Sequence, residues 1–268
     1  MRFAFGKNWR SFLSVLDENR IMEAERALRA SLGCTSLAGL RVLDIGSGSG
    51  LSSLAMRRLG ASVVSFDYDA DSVACTTELR QRFDGASNKW QVMQGSVLDP
   101  EFMAALGEFD LVYAWGVLHH TGSMWPALDL TQQRVAPDGQ LLIALYNDQG
   151  WRSRIWWHIK HLYCSGQIGR ALVSSLFYPL FALYAVGLDL RRLQLPGTHL
   201  REYARRRGMS LVHDWRDWLG GFPFEVARPD DVLRQLSVAG FTLKNQALTR
   251  GWGCNEFTLV KSANSDGH

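Results

Sequence analysis

The sequence predicts an α/β fold: a doubly wound, mostly parallel seven-stranded sheet, with N-terminal helices ahead of it and a helical cap inserted into it. Three observations predict this. Short apolar runs alternate with helix-like stretches from residue 41 to 146. A glycine-rich turn joins the first of these runs directly to the first helix that follows it. After a long interruption the alternation returns near 229, with one more helix and two more runs joined by Arg-Gly-Trp-Gly-Cys.

The elements follow in order. Trp9, Phe12, Leu13 and Leu16 fall on one helical face, and Ile21, Ala24 and Leu28 extend it, so one helical element of about 30 residues is expected at the N-terminus. Strands are expected at 41–45, 61–66, 90–94, 109–115 and 140–146. Helices are expected at 51–59, with Gly60 as its cap, at 71–83 and at 123–135, where Pro126 fits the first turn. Residues 137–139, Pro-Asp-Gly, make a turn. A helix at 231–239, closed by Gly240, then leads to strands at 241–249 and 256–261. The chain therefore divides into a helical flap (1–36), a core made of 37–146 and 227–262, and a helical cap or lid (147–226).

The cap holds five of the ten tryptophans and a charge-free run, 171–188. Eighteen such residues reach the lower limit for a membrane span. A single crossing would put the last two strands on the opposite side from the first five, so the run is expected to be a buried helical pair divided at Pro179. A surface that dips into a membrane or admits a lipid tail is the competing expectation.

Composition sets the outer limits. Hydrophobic residues at 47% and charged residues at 21% exclude a disordered or fibrous chain. A formal charge of +3 is too small to point to nucleic acid. Cys34, Cys75, Cys164 and Cys254 form no CxxC pair, which argues against a disulfide framework and fits a reducing cytoplasm. No apolar signal-peptide core precedes the first helix.

The strongest motif spans 42–50, Val-Leu-Asp-Ile-Gly-Ser-Gly-Ser-Gly, between a strand and a helix. Glycines there allow a ligand to approach the backbone, and the helix start exposes free N–H donors. A dinucleotide fingerprint needs GxGxxG, but here Leu51 stands where the third glycine would be. Asp44 also sits two residues before Gly46. Its carboxylate would repel a pyrophosphate and attract an ammonium or sulfonium, which favours a cationic, phosphate-free cofactor such as S-adenosyl-L-methionine.

These residues resemble the first motif of class I S-adenosylmethionine-dependent methyltransferases. Gln-Gly-Ser-Val-Leu-Asp at 94–99, the run 109–120 ending in Leu-His-His, and Val-Ala-Pro-Asp-Gly-Gln at 135–140 are similar to later motifs of that family. The resemblance covers about 38–146 and 229–261. It is greatest to the small-molecule branch that includes the ubiquinone and menaquinone methylases, with the 147–226 insertion as the departure. It implies contacts to the cofactor from Asp44, Gly46, Ser47, Gly48 and Gly50, ribose binding by Asp67, adenine contacts from Tyr68, Ser96 and Val97, and a contact near the reactive end from Trp115. No Asn/Asp-Pro-Pro-Tyr/Phe follows the fourth strand and no Pro-Cys pair exists, which disfavours exocyclic-amine and cytosine-C5 methylation.

Methyl transfer is an in-line displacement at carbon, so alignment is the main demand. A base is needed only where the acceptor must lose a proton. His119, His120 and Tyr146 are the candidates, and the His pair can equally orient the helix that follows. Trp151, His213 and Glu225 are candidate substrate contacts, the last two within a loop read as a lid. His158, His161 and Cys164 share a helical face but lack further matched ligands, so no metal site is expected. Arg201, Arg205, Arg206 and Arg207, with Arg191 and Arg192, read as a solvated face or as a site for a phosphate or anionic membrane. The expected function is methyl transfer to an oxygen or nitrogen of a small acceptor. Methylation of a membrane-held lipid or quinone, a cofactor-binding partner protein, and a nicotinamide-dependent oxidoreductase remain open alternatives. The oligomeric state stays undetermined.

Overall fold

The computed structural model describes residues 6–13, 16–85, 87–192, 194–195, 198 and 211–263, without the side chains of 7, 8, 11, 211–214 and 217. The N-terminal element is two helices, α1 (Gly6–Leu13) and α2 (Glu18–Leu32), not one. Asp17 starts the second: its carboxylate accepts the Arg20 N–H at 3.0 Å, satisfying a donor that the first turn leaves free.

The core then runs β1 (Arg41–Ile45), α3 (Leu51–Arg58), β2 (Ser62–Asp67), α4 (Ala70–Phe83), β3 (Trp90–Gln94), α5 (Pro100–Ala105), β4 (Phe109–Trp115), a 3-10 turn (Leu118–His120), α6 (Met124–Gln132) and β5 (Val135–Tyr146). Helix α5 has no counterpart in the sequence reading, although Asp99 caps it and Pro100 fills its first position. Helix α6 also stops earlier than expected, because Val135 already pairs with Phe109 as strand.

The sheet order is β3-β2-β1-β4-β5-β7-β6, with β7 (Cys254–Lys261) antiparallel to both β5 and β6 (Phe241–Ala247). The order reverses direction at β1, and the crevice above β1 and β4 at their C-terminal ends is where an open α/β sheet accepts a ligand. One apolar layer, built on Leu43, Ile45, Val112 and Ile143, packs against α6 and α10 (Pro229–Val238). The other, built on Val42, Val63, Leu111 and Leu142, packs against α2 and α3.

Between β5 and α10 lie α7 (Trp151–Cys164), α8 (Gln167–Arg191) and α9 (Leu211–Gly220). The chain leaves the sheet and returns to it at one point, where Ala227 N–H donates to the Tyr146 carbonyl and Asp148 N–H to the Ala227 carbonyl. Two expectations about the charge-free run fail. Pro179 does not divide it: α8 continues as a single helix of 25 residues. The N–H that proline lacks would have met the Ser175 carbonyl, and both residues are exposed, so that carbonyl is not left in an apolar interior. Nor is the run buried: only 11% of its most apolar 18-residue window lies inside the protein.

Candidate active site

The glycine turn is built by backbone geometry. Gly46, Gly48 and Gly50 all have positive φ, between 56 and 82°. A Cβ on Gly46 would lie 2.5 Å from both γ-carbons of Val117, so no side chain fits there. The Gly46 and Ser47 N–H groups donate to the Phe66 carbonyl at 2.8 and 3.1 Å, clamping the turn to β2. Ser47 turns its hydroxyl inward, 2.9 Å from that of Thr76. On the outer side the Trp9 indole covers Gly48, lying 3.0 Å from where a Cβ would stand.

Asp44 ends a buried polar chain. Its carboxylate accepts the Ser53 hydroxyl; Ser53 and Ser65 hydroxyls are 2.7 Å apart, and the Trp90 indole N–H donates to Ser65 at 2.9 Å. Burial pushes the Asp44 carboxyl up to about 7, against the Ser53 hydrogen bond. Asp67, at the end of β2, accepts N–H groups from Gly48 at 3.0 Å and Asp69 at 2.9 Å, and burial raises its pKa as well. Two carboxylates thus flank the glycine turn, one below it and one beside it.

The rest of the cofactor-side prediction is brought to the same edge. Tyr68 is exposed directly after Asp67, and Gln94 holds its carbonyl at 3.1 Å. Ser96 caps its own turn through the Leu98 N–H at 3.2 Å, while Val97 is buried in the core. Trp115 is 47% exposed at the end of β4, so it is not core. A Cβ on the next residue, Gly116, would meet nothing within 4 Å, which leaves the crevice floor open. Two carboxylates flank the turn, and no basic side chain among the described residues hydrogen-bonds to either of them, which fits a cationic, phosphate-free cofactor.

The His pair separates into two roles. His119 is 1% exposed; its Nδ1 accepts the Tyr146 N–H at 3.3 Å, and its ring lies 3.9 Å from the Tyr146 ring. Burial, then the nearby His120 and Lys160 charges, holds it well below the usual histidine range, so it stays neutral. Its carbonyl also accepts the Glu225 N–H at 3.0 Å, making it a tie between the 3-10 turn, β5 and the returning chain. His120 is only half-buried, with Nδ1 2.7 Å from the Pro223 carbonyl. A carbonyl only accepts, so Nδ1 carries the proton and Nε2 is the basic nitrogen.

Tyr146 joins this pair to a narrow, partly open cleft between the sheet and the inserted helices. Trp156 and Lys160 of α7, Trp218 of α9, Phe224 and Trp252 complete much of its wall. Trp156 and Trp218 rings meet at 4.2 Å, and Trp252 closes on both at 5.4 and 6.1 Å. Trp252 sits on the β6–β7 turn, which Asn147 and buried Asn255 pin to the end of β5 through a 3.0 Å hydrogen bond. Lys160 is buried, donates to the Trp218 carbonyl, and stands 5.1 Å from the Phe224 ring centre.

The substrate-side prediction fares less well. Trp151 is 64% exposed at the start of α7 and does not line the cleft; Trp156, just over one helical turn on, does. The Glu225 carboxylate accepts the Met124 N–H at 3.1 Å, capping α6 instead of facing the cleft, and burial raises its pKa. The His213 side chain and Arg201, Arg205, Arg206 and Arg207 lie outside the described residues. Sequence reasoning missed Lys160, Trp156, Trp218 and Trp252 as a group. The tryptophan density of the cap was the available signal, but nothing in the spacing joined Trp252 to it. Among the described residues no cluster of three or more His, Cys, Asp or Glu is placed to hold a metal.

The fold and the site define a class I S-adenosylmethionine-dependent methyltransferase. A family model described as a methyltransferase domain matches residues 16–177, and the chain belongs to that family. Among curated relatives it is 32% identical over 123 residues to the ubiquinone biosynthesis O-methyltransferase of Rhodopseudomonas palustris strain BisB5, covering 46% of this chain and 45% of that one. It is also 32% identical over 109 residues to the tRNA U34 carboxymethyltransferase of Cronobacter sakazakii, covering 41% and 33%. The match therefore spans less than half the length of these relatives. Among solved structures, magnesium protoporphyrin IX methyltransferase of Synechocystis PCC 6803 with bound SAH aligns at TM-score 0.54 and 16% identity, over 90% of this chain and 83% of that one. A putative methyltransferase of Bacillus halodurans C-125 aligns at 0.55 and 12%, over 90% and 100%. At these identities the structural likeness speaks for the fold.

Proposed function

We propose that this protein methylates a hydroxyl oxygen on a small ring-bearing acceptor, seated in the tryptophan-lined cleft with its reacting atom at His120. The observation that carries this is the contact of His120 with Tyr146, a residue of the cleft wall. Trp115 and Gly116 at the end of β4 lead into the turn that bears His120, and His120 packs edge-on against Tyr146, 5.4 Å away, which lines the cleft. S-adenosylmethionine, when bound, supplies an electrophilic methyl group on a sulfonium.

The chain's own residues supply the rest. In this reading Asp67 accepts hydrogen bonds from the ribose hydroxyls, and Asp44, when ionised, offers negative charge to the cationic amino-acid end. Trp156, Trp218 and Trp252 offer flat apolar surface to a ring, a geometry in which one aromatic pair contributes about 0.5–1.5 kcal/mol beyond burial. Nε2 of His120 would take the hydroxyl proton as the acceptor oxygen bonds to the methyl carbon and the carbon–sulfur bond breaks, its electron pair returning to a neutral thioether. His119, held neutral, keeps the turn in place. The chain 220–225 and α9 shield the site from water on one side, the part expected of a lid.

The relatives named for ubiquinone O-methylation support oxygen over nitrogen as the acceptor atom. The test is turnover on a panel of catechols and other phenols with wild type and His120→Gln. The variant should lose about 100-fold in kcat, the lower range for a general base, with the dissociation constant for S-adenosylhomocysteine unchanged. Equal kcat in the two proteins would remove His120 from the mechanism.

A further inference from the structure

Helix α8 presents a bare apolar face. Ile168, Leu172, Leu176, Leu180, Leu183 and Tyr184 are each between 49% and 79% exposed. At 100° per residue they fall within a band about 160° wide, and Pro179, Gly187 and exposed Leu190 fall in the same band. From Ile168 to Leu190 the band runs about 33 Å. Scattered exposed leucines need no explanation, but a continuous band of this length does.

The charge around the face identifies what covers it. From 149 to 188 the sequence holds no Asp or Glu. Asp189, the one acid on α8, is fully buried. Arg152, Arg154, Arg170, Arg191 and Arg192 are all exposed, at or near the ends of α7 and α8. An apolar band with exposed cations, and no exposed acid among the described residues of α7 and α8, matches an anionic bilayer surface, whose phosphates meet the arginines while acyl chains meet the leucines. A second copy of the same face would bring its own cations to that rim.

The helix cannot cross the bilayer. The chain before it forms β5 and the chain after it forms β7, and these strands pair along their length from Gln140↔Val260 to Tyr146↔Cys254. Both ends of α8 therefore stay on one side, and the helix lies in the plane of the surface.

We propose that the protein docks on anionic membranes through the outer face of α8. The inner face of the same helix backs the wall of the cleft: Phe177 packs on Trp156 at 5.5 Å and Phe181 on Trp218 at 5.5 Å. If the cleft is the acceptor site, as proposed above, docking brings it beside the lipid headgroups, where a lipid-held acceptor would be presented.

The test is flotation with vesicles of phosphatidylcholine containing phosphatidylglycerol, against pure phosphatidylcholine. The proteins are wild type, Leu172→Gln/Leu176→Gln/Leu183→Gln, and Arg191→Gln/Arg192→Gln. Wild type should float with the anionic vesicles and be released by salt. The triple variant should stay at the bottom, and the arginine pair should weaken binding about 30-fold, at about fivefold per cation near an anionic surface. S-adenosylhomocysteine binding, measured on the same samples, shows that each variant is folded. That signal tests the methyltransferase reading, and flotation does not depend on it. Wild type that fails to float, or floats as well after substitution, overturns the proposal. So does a dimer in sedimentation that the leucine substitutions dissolve, since a second copy would then cover the face.

Discussion

Asp44 offers the sharpest prediction, because one substitution should raise stability and lower function together. Its carboxyl is fully buried and sits at about 7 against an ordinary 3.8. Ionising it in the folded protein therefore costs about 4 kcal/mol more than in the unfolded chain. Between these two values the folded state keeps a proton that the unfolded chain has released. Stability from this group therefore falls as pH rises from about 4 to about 7, then levels off. Asp44→Asn keeps the shape and can still accept the Ser53 hydroxyl, but it does not titrate. Relative to wild type it should gain stability steadily over that window, approaching an upper limit of about 4 kcal/mol above pH 7. Urea midpoints of both proteins from pH 4.5 to 7.5 give the difference, and taking the difference cancels the other titrating groups. The same variant should bind S-adenosylhomocysteine more weakly, because the cationic end of the ligand loses its counter-charge. Wild-type affinity should climb toward tenfold per pH unit below 7. A stability difference that is flat with pH, or that favours wild type as pH rises, would refute the account of Asp44.

Three other outcomes follow from the same geometry. His119 is held neutral by burial, so the unfolded chain takes up a proton below about 6.5 that the folded protein refuses; stability should fall by about 1.4 kcal/mol per pH unit below that point, and His119→Gln should flatten the slope in urea melts. Gly46→Ala must hold a left-handed backbone and push Val117 away, which should destabilise the protein by at least about 1–2 kcal/mol in thermal unfolding and abolish cofactor binding. Trp9 lies against Gly48, so S-adenosylhomocysteine should quench tryptophan fluorescence, and Trp9→Phe should remove most of that quench while the protein stays folded.

The core was legible because its signals are local. Strands β1 to β4 are short apolar runs bounded by glycine or charge, and the 42–50 turn carries strand, glycines and carboxylate in one stretch. Asp67 came from the family resemblance, as the acid at the end of the second strand. The inserted helices were misread because both relevant rules assume a soluble interior. Proline breaks a helix where its lost bond cannot be replaced, yet Pro179 and Ser175 face outward. A helix apolar all round is expected inside, yet α8 turns most of its apolar surface outward. The cleft was illegible for a different reason. Trp156, Trp218 and Trp252 come from three separate segments, and only the pairing of β5 with β7 brings the third to the other two. His119 and His120 were equivalent as sequence; burial and the Pro223 carbonyl distinguish them.

The central claim is that the glycine turn and Asp67 hold S-adenosylmethionine. Calorimetric titration of S-adenosylhomocysteine into wild type and Asp67→Ala tests it most directly. The account predicts one site per chain and a loss of tenfold or more in the variant, since a hydrogen bond to a charged group contributes about 1.5–3 kcal/mol. Absence of binding to wild type, or equal affinity in the two proteins, would contradict it.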